Sequence, residues 1–159
     1  NMVPRKGAYV ADLSVKDIMD VLELRACLDG MATSLAAKRI TQDEIKELKH
    51  IHTQFINYVN KDNLQGSIKK DVEFHDVIYR SSRNERLIQI TSNLREQVQR
   101  FRVIYLKDYS SSRGIINEHN EIIDALIEKD SSKAQEVAQK HIKNQQETII
   151  NSLKENRIV

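Results

Sequence analysis

From Ser14 onward the apolar residues of this chain recur every three or four positions, the repeat of a helix with one buried face. Ile18, Leu22, Leu28 and Leu35 mark the first such stripe and predict a helix from Ser14 to about Arg39. Ser14 is its N-cap, Asp17 stands at the capping-box position, and Gly30 is its one weak point. Thr41-Gln-Asp-Glu44 is a fuller capping box and opens a second helix to about Asn60, with Ile45, Leu48, Phe55, Ile56 and Val59 facing inward. After Lys61-Asp62-Asn63 a third helix is expected to about Ser81. Ser82-Arg83-Asn84 then turns the chain into a fourth that ends near Lys107, and the serine-rich stretch from Asp108 to Gly114 reads as the longest loop. Ile115, Ile116, Ile122, Ile123, Leu126 and Ile127 place a fifth helix, and Asp130-Ser131-Ser132 caps a sixth that runs to about Asn156. Connections of a few residues join antiparallel neighbours, so the fold class is an all-α antiparallel bundle of about six or seven helices.

Composition sharpens this picture at the N-terminus. The only proline is Pro4; with Gly7 and the alternating Ala8-Tyr9-Val10-Ala11 it makes residues 1–13 an extended tail ahead of one helical domain, 14–159. Hydrophobic residues make up 40% of the 159, enough for one core. Charged residues make up 30%, but 25 basic against 23 acidic side chains leave a net charge of only +2, too even for a general nucleic-acid-binding surface. A lone Cys27 has no internal disulfide partner, no apolar run approaches a membrane span and no signal peptide opens the chain, so a soluble cytoplasmic protein without a membrane partner is expected. A Gly-rich phosphate loop, a Cys-x-x-Cys pair and a Gly-x-Ser-x-Gly turn are all missing from the sequence.

The chemistry lies in ionisable residues set on apolar stripes, where burial is costly without a partner. Asp71 and His75 stand four apart and project from one helix face, beside Val72 and Ile78. His119 sits within the stripe of Ile115, Ile116, Ile122 and Ile123, and His141 follows Val137 and Ala138 on the inward face of the last helix. One carboxylate and three imidazoles suit a divalent metal, zinc first, with nickel, cobalt, iron or manganese if water completes the shell. Each histidine taken singly is equally an ordinary hydrogen-bonded core residue, and spacing alone does not make the three helices converge. His52, flanked by Leu48, Phe55 and Ile56 without an acidic partner, is assigned to packing, and His50, beside Lys46 and Lys49, to the surface. Arg25 lies among Val21, Leu22 and Leu28 and needs an anion: either Asp29, one turn on, or the carboxylate of a bound ligand, to which a guanidinium fork is well matched. Arg102, beside Phe101 and one turn from Val98, is a second ligand-binding candidate, whereas Arg95 and Arg100 read as solvated.

Together these stretches resemble the C-terminal effector-binding (FCD) domain of FadR-like GntR transcription regulators over nearly the whole chain. Glu23-Leu-Arg-Ala-Cys-Leu-Asp29 followed by Leu35-Ala-Ala-Lys-Arg39 is similar to that family's first helix, where an arginine often faces the ligand. Asp71-Val-Glu-Phe-His75 with Ser82-Arg-Asn84 and Leu87 is similar to its clip and turn. Glu118-His119, Ala125-Leu-Ile-Glu-Lys-Asp130, Ala134 and His141 are similar to its closing helices. The resemblance implies metal ligation by Asp71, His75, His119 and His141, sensing of a small organic acid, and a homodimer. It also implies operator DNA bound only through a missing N-terminal winged helix-turn-helix, whose last wing strand Val3-Pro-Arg-Lys-Gly-Ala-Tyr-Val10 resembles. On that reading the chain is not an enzyme.

Three rivals remain at this level. A metal-dependent hydrolase would use an open coordination position to activate water, with Glu73 or Glu118 as the arguable base. A di-iron bundle needs two Glu-x-x-His motifs, and the sequence has only Glu47-Leu-Lys-His50, on a polar face. A helical adaptor would bind no metal.

Overall fold

The computed structural model describes residues 14–107 and 109–155, and the backbone alone for 109–111. The expected tail 1–13 and its wing-like strand lie outside the described residues. Among the described residues seven helices follow one another: α1 (Val15–Arg39), α2 (Gln42–Asn60), α3 (Leu64–Ser81), α4 (Glu85–Asn93), α5 (Arg95–Lys107), α6 (Tyr109–Ile127) and α7 (Ser131–Glu155). No strand occurs among the described residues, and none of their helices is long and apolar enough to cross a membrane.

Local chemistry sets the helix ends where the sequence put them. In both capping boxes the reciprocal pair forms: Asp17 N–H donates to Ser14 Oγ at 3.1 Å and Ser14 N–H to Asp17 Oδ2 at 3.3 Å, with Thr41 and Glu44 matched in the same way. Asn63, Asn84 and Asp130 cap α3, α4 and α7 through their side-chain oxygens. The helices α2 and α6 end on a left-handed residue, Asp62 and Lys129, after which Asn63 N–H reaches Tyr58 O and Asp130 N–H reaches Ala125 O. These six-to-one bonds satisfy carbonyls that the helix ends would otherwise leave open.

Two expectations change. The single fourth helix is broken at Leu94 into α4 and α5, which lets α4 lie against α1 and α3 while α5 turns inward to α3, α6 and α7. The serine-rich stretch is not a loop, since helix α6 begins at Tyr109; Asp108 lies outside the described residues. Serine is only a mildly poor helix former, and Ser112 is buried with its hydroxyl donated to Leu106 O at 2.9 Å, so the stretch continues the bundle.

Packing divides the interior in two. One apolar cluster gathers Ala32, Ala36, Leu48, Phe74, Ile78, Ile122 and Leu126; the other gathers Ile18, Leu22, Phe55, Phe101, Tyr105, Ile142 and Ile149. Along α1 the first cluster begins at Ala32 and the second ends at Ala26; Asp29 is buried between them, and the buried Arg25 stands at the edge of the second, next to Ala26. The same order holds on the other long helices, where His52 on α2, Asp71 on α3, His119 on α6 and His141 on α7 fall between the two clusters. A polar layer therefore crosses the middle of the bundle.

The glycines of α1 and α6 are not equivalent. A Cβ on Gly30 would stand 2.7 Å from Gln139 Cγ on α7, so at this weak point in helix propensity the α7 side chain packs directly on the α1 backbone, whereas a Cβ on Gly114 meets nothing within 4 Å. Gly114→Ala is therefore expected to stabilise the chain by about 0.5–1 kcal/mol. Gly30→Val is expected to destabilise it by about 1–3 kcal/mol. Urea unfolding of the two variants checks both signs, and a stabilising Gly30→Val would contradict the packing described.

Candidate metal centre

Three helices bring four ionisable side chains to one point in the polar layer. Asp71 and His75 project from α3 one turn apart, His119 comes from α6 and His141 from α7, and all four are buried. One ligand atom from each lies within 4.8 Å of all the others. His75 Nε2 is 3.4 Å from His141 Nε2, His119 Nε2 is 3.4 Å from Asp71 Oδ1, and His75 Nε2 is 3.7 Å from the same oxygen. Ligands at zinc-like bond lengths stand roughly 3.4 Å apart in a tetrahedral set, so the donor spacing matches a shared cation.

The hydrogen bonding points the same way. Asp71 Oδ2 accepts from Arg102 Nε at 2.6 Å and from Tyr105 Oη at 3.1 Å, but Oδ1, turned toward the histidines, has no hydrogen-bond partner. Neither nitrogen of His119 has one either. Buried polar atoms left unsatisfied cost about 1–3 kcal/mol each, and two of these, Asp71 Oδ1 and His119 Nε2, face each other at 3.4 Å, where a cation would satisfy both. Burial pushes His119 down to about 4 and, with the Arg25 guanidinium nearby, holds His75 well below the ordinary imidazole value, although Asp71 opposes both shifts. These two rings are neutral at pH 7 and keep the lone pairs that ligation needs. Burial by itself would raise Asp71; the His119 and His75 imidazoles facing it and the Arg102 guanidinium outweigh it and hold the carboxyl well below its usual range.

A second ring of residues orients the first. Glu118 Oε2 lies 2.5 Å from His141 Nδ1, and its other oxygen accepts from Asn144 Nδ2 at 2.6 Å, which fixes the ring and leaves Nε2 facing the cluster. Asp29 Oδ2 is 3.7 Å from His75 Nδ1, and the Tyr79 hydroxyl donates to Asp29 Oδ1 at 2.5 Å. Gln145, one turn after His141, places its Nε2 2.9 Å from His141 Nε2. These partners were not singled out in the sequence for this role, yet Gln145 and Asn144 stand four and three residues from His141 and Asp29 four from Arg25, spacings that share a helix face.

Beside the cluster lies a cavity of about 330 Å³, walled by Leu28, Val72, Tyr79 and Val98 and by both expected ligand arginines, Arg25 and Arg102. More of the wall comes from either side of the Leu94 break, including Ile88 and Thr91 of α4. Arg25 does pair with Asp29, Nε to Oδ2 at 3.4 Å, but not on an exposed face: the two side chains are 3% and 4% accessible. Its Nη1 donates to Gln145 Oε1 at 3.0 Å, and its Nη2 is buried without a hydrogen-bond partner. Arg95 pairs with Asp76 at 2.8 Å on the cavity rim, half exposed, and Arg100 is exposed. His50 is exposed; His52 is buried with its ring against Phe55 and Phe74, the packing role expected of it.

Comparison with known proteins gives this architecture its place. The family model described as the FCD domain matches residues 20–144. The chain belongs to the FCD domain family. Among curated relatives it is 21% identical to the HTH-type transcriptional repressor RspR of Escherichia coli K12 over 154 residues, 96% of this chain and 67% of the relative. It is 26% identical to the Nta operon transcriptional regulator of Aminobacter aminovorans over 151 residues, 91% of this chain and again 67% of the relative. The fold is shared with Streptococcus agalactiae GntR, at a TM-score of 0.72, 23% identity and coverage of 82% of this chain and 58% of that one. It is also shared with E. coli McbR/YncC, at 0.79, 17% identity and coverage of 91% and 71%. This FCD chain thus spans about three fifths to seven tenths of the proteins it matches.

Within the FCD fold, Asp71 is the hinge of the electrostatics, because removing it strands the buried Arg102 guanidinium. Asp71→Ala is expected to cost about 3–5 kcal/mol in chelator-treated protein. Asp71→Leu combined with Arg102→Met should recover most of that loss. Thermal and urea unfolding of the single and double variants check this, and a double variant as unstable as Asp71→Ala would contradict the pairing.

Proposed function

We propose that this FCD domain is the ligand-sensing and dimerising part of a GntR-type transcription regulator. Asp71, His75, His119 and His141 hold one divalent metal ion, most simply zinc, and a small organic acid occupies the adjoining cavity with its carboxylate on Arg25 and Arg102. The observation that carries this reading is the adjacency of two incomplete sites: a buried cluster with donor atoms lacking partners, and a cavity into whose wall both buried arginines are built. A bound cation would supply a second positive anchor for the acid. Arg102 is held by Asp71 through Nε, so its remaining guanidinium edge is oriented without further ordering.

The names of the relatives support the regulatory role, being a transcriptional repressor and an operon regulator. On this reading operator DNA is bound by an N-terminal winged helix-turn-helix beyond this domain, in a cytoplasmic protein. Ligand binding alters the geometry of the paired heads, which must match half-site spacing on the operator. Pairing of two copies is supported by α1, which exposes Leu24, Cys27 and Met31 along one face.

The hydrolase alternative lacks a free base. Glu118 is engaged by His141 and Asn144, and Glu73 by Lys70 Nζ at 2.5 Å. The single Glu-x-x-His motif of a di-iron reading ends on the exposed His50.

Elemental analysis of the purified chain should find close to one divalent metal ion per chain, and His119→Ala or His141→Ala should remove it. Chelated wild-type protein that kept full affinity for organic acids would overturn the role given to the metal. A thermal-shift screen of organic acids on metal-loaded protein identifies the effector class through stabilisation of the folded state. With the acid so found, Arg25→Lys keeps the charge but loses the fork and is expected to weaken binding by about tenfold or more while metal content stays unchanged. Equal affinities in titration calorimetry would remove Arg25 from the ligand site.

A further inference from the structure

One buried side chain touches both halves of the site. Gln145 is 2% accessible; its Oε1 accepts from Arg25 Nη1 at 3.0 Å and its Nε2 stands 2.9 Å from His141 Nε2. The orientation of the amide follows from its neighbours. Arg25 has only donors, so it must face the amide oxygen, and the amide N–H is thereby turned on His141 Nε2. That nitrogen must accept, which puts the proton of a neutral ring on Nδ1, where Glu118 Oε2 receives it at 2.5 Å. The chain of bonds from Arg25 through Gln145 and His141 to Glu118 thus has one consistent direction. It sets His141 in the tautomer that ligates a cation through Nε2, and it fills that same lone pair with an amide N–H.

We propose that Gln145 is a positioning residue that ties occupancy of the cation cluster to the availability of Arg25 for an anionic ligand. The proposal rests on the metal reading above. An imidazole nitrogen has one lone pair, so Gln145 must leave His141 Nε2 before that nitrogen can face an ion. When the amide turns away, Arg25 Nη1 loses its partner and joins Nη2, which already has none, in presenting two free donors beside the cavity. Two neighbouring guanidinium donors are what a carboxylate takes up in bidentate form. While Gln145 stays, one N–H of Nη1 is held by its amide oxygen. The anion site on Arg25 is therefore freed of that competitor as the cation cluster fills.

The test uses zinc alone as the probe, on wild-type chain and on Gln145→Met and Gln145→Leu, which keep the approximate volume but neither hydrogen bond. Circular dichroism melts confirm that at least one variant is folded. With the amide no longer competing for His141, zinc affinity by competitive chelator titration should rise about three- to tenfold, the size of one ordinary hydrogen bond. In nitrogen-edited NMR spectra the Gln145 side-chain amide signals should move on stoichiometric zinc addition. The Arg25 side-chain resonance should shift in wild type well beyond its shift in the variants. Unchanged or weakened zinc affinity in a folded variant overturns the competition, and equal Arg25 shifts overturn the link to the anion site. Absence of zinc binding to wild type as well as to both variants would instead overturn the metal reading, and this proposal with it.

Discussion

The structure depends on the pairing of charges buried in the middle of an apolar bundle. Two carboxylates, two guanidinium groups and four imidazoles cross the interior as a layer between two hydrophobic clusters, and the charged groups would be prohibitively costly there alone. Arg102 is tolerable because Asp71 is beneath it, Arg25 because Asp29 and Gln145 flank it, and His141 because Glu118 accepts its Nδ1–H. The chain could have filled this level with leucine and gained stability. It instead maintains a connected polar network whose loose ends, Asp71 Oδ1, His119 Nε2 and Arg25 Nη2, meet at the cluster and the cavity. Among the described residues of the chain itself these atoms have no hydrogen-bond partner.

Much of this was legible in the sequence, because the layer is written as exceptions to the helical repeat. Asp71, His75, His119 and His141 interrupt apolar stripes, and burial on an amphipathic helix is a local property that spacing reports well. Convergence is not local. Whether α3, α6 and α7 meet depends on packing across the whole bundle, and only the ordered resemblance to a known family brought the four residues together in advance. The helix boundaries were readable wherever a side chain caps them, as at Ser14, Thr41, Asn63 and Asp130. Where no capping chemistry marks the change, as at Leu94, and where serine continues a helix instead of ending it, as at Ser112, local preference was overruled by packing.

Arg25 shows why two opposed sequence readings can both fail as alternatives. An intrahelical pair with Asp29 and an inward position near a ligand stand as alternatives in the sequence because spacing alone does not say whether such a pair is buried. The residues do pair, but on the buried face, where Asp29 also approaches His75 and receives the Tyr79 hydroxyl. Spacing identifies partners; it does not say which side of the helix they share with the rest of the fold. Gln145 escaped attention for a related reason, since a neutral amide on a polar-rich helix carries no signal until its neighbours are known.

The break at Leu94 divides the cavity wall into two parts with different freedom to change. The wall on α1, α3 and α5 carries Arg25, Tyr79 and Arg102, all tied into the charged layer, so substitution there unpairs a buried group. The wall on α4 carries Ile88, Thr91 and Ser92, on a nine-residue helix with only Leu87 fully buried. Changes at those three positions reshape the cavity without stranding a charge, and surface substitutions of that kind usually move stability by less than about 0.5 kcal/mol. Descendants of this chain are thus free to reshape the cavity by drift along a single short helix, while the charged layer is inherited intact.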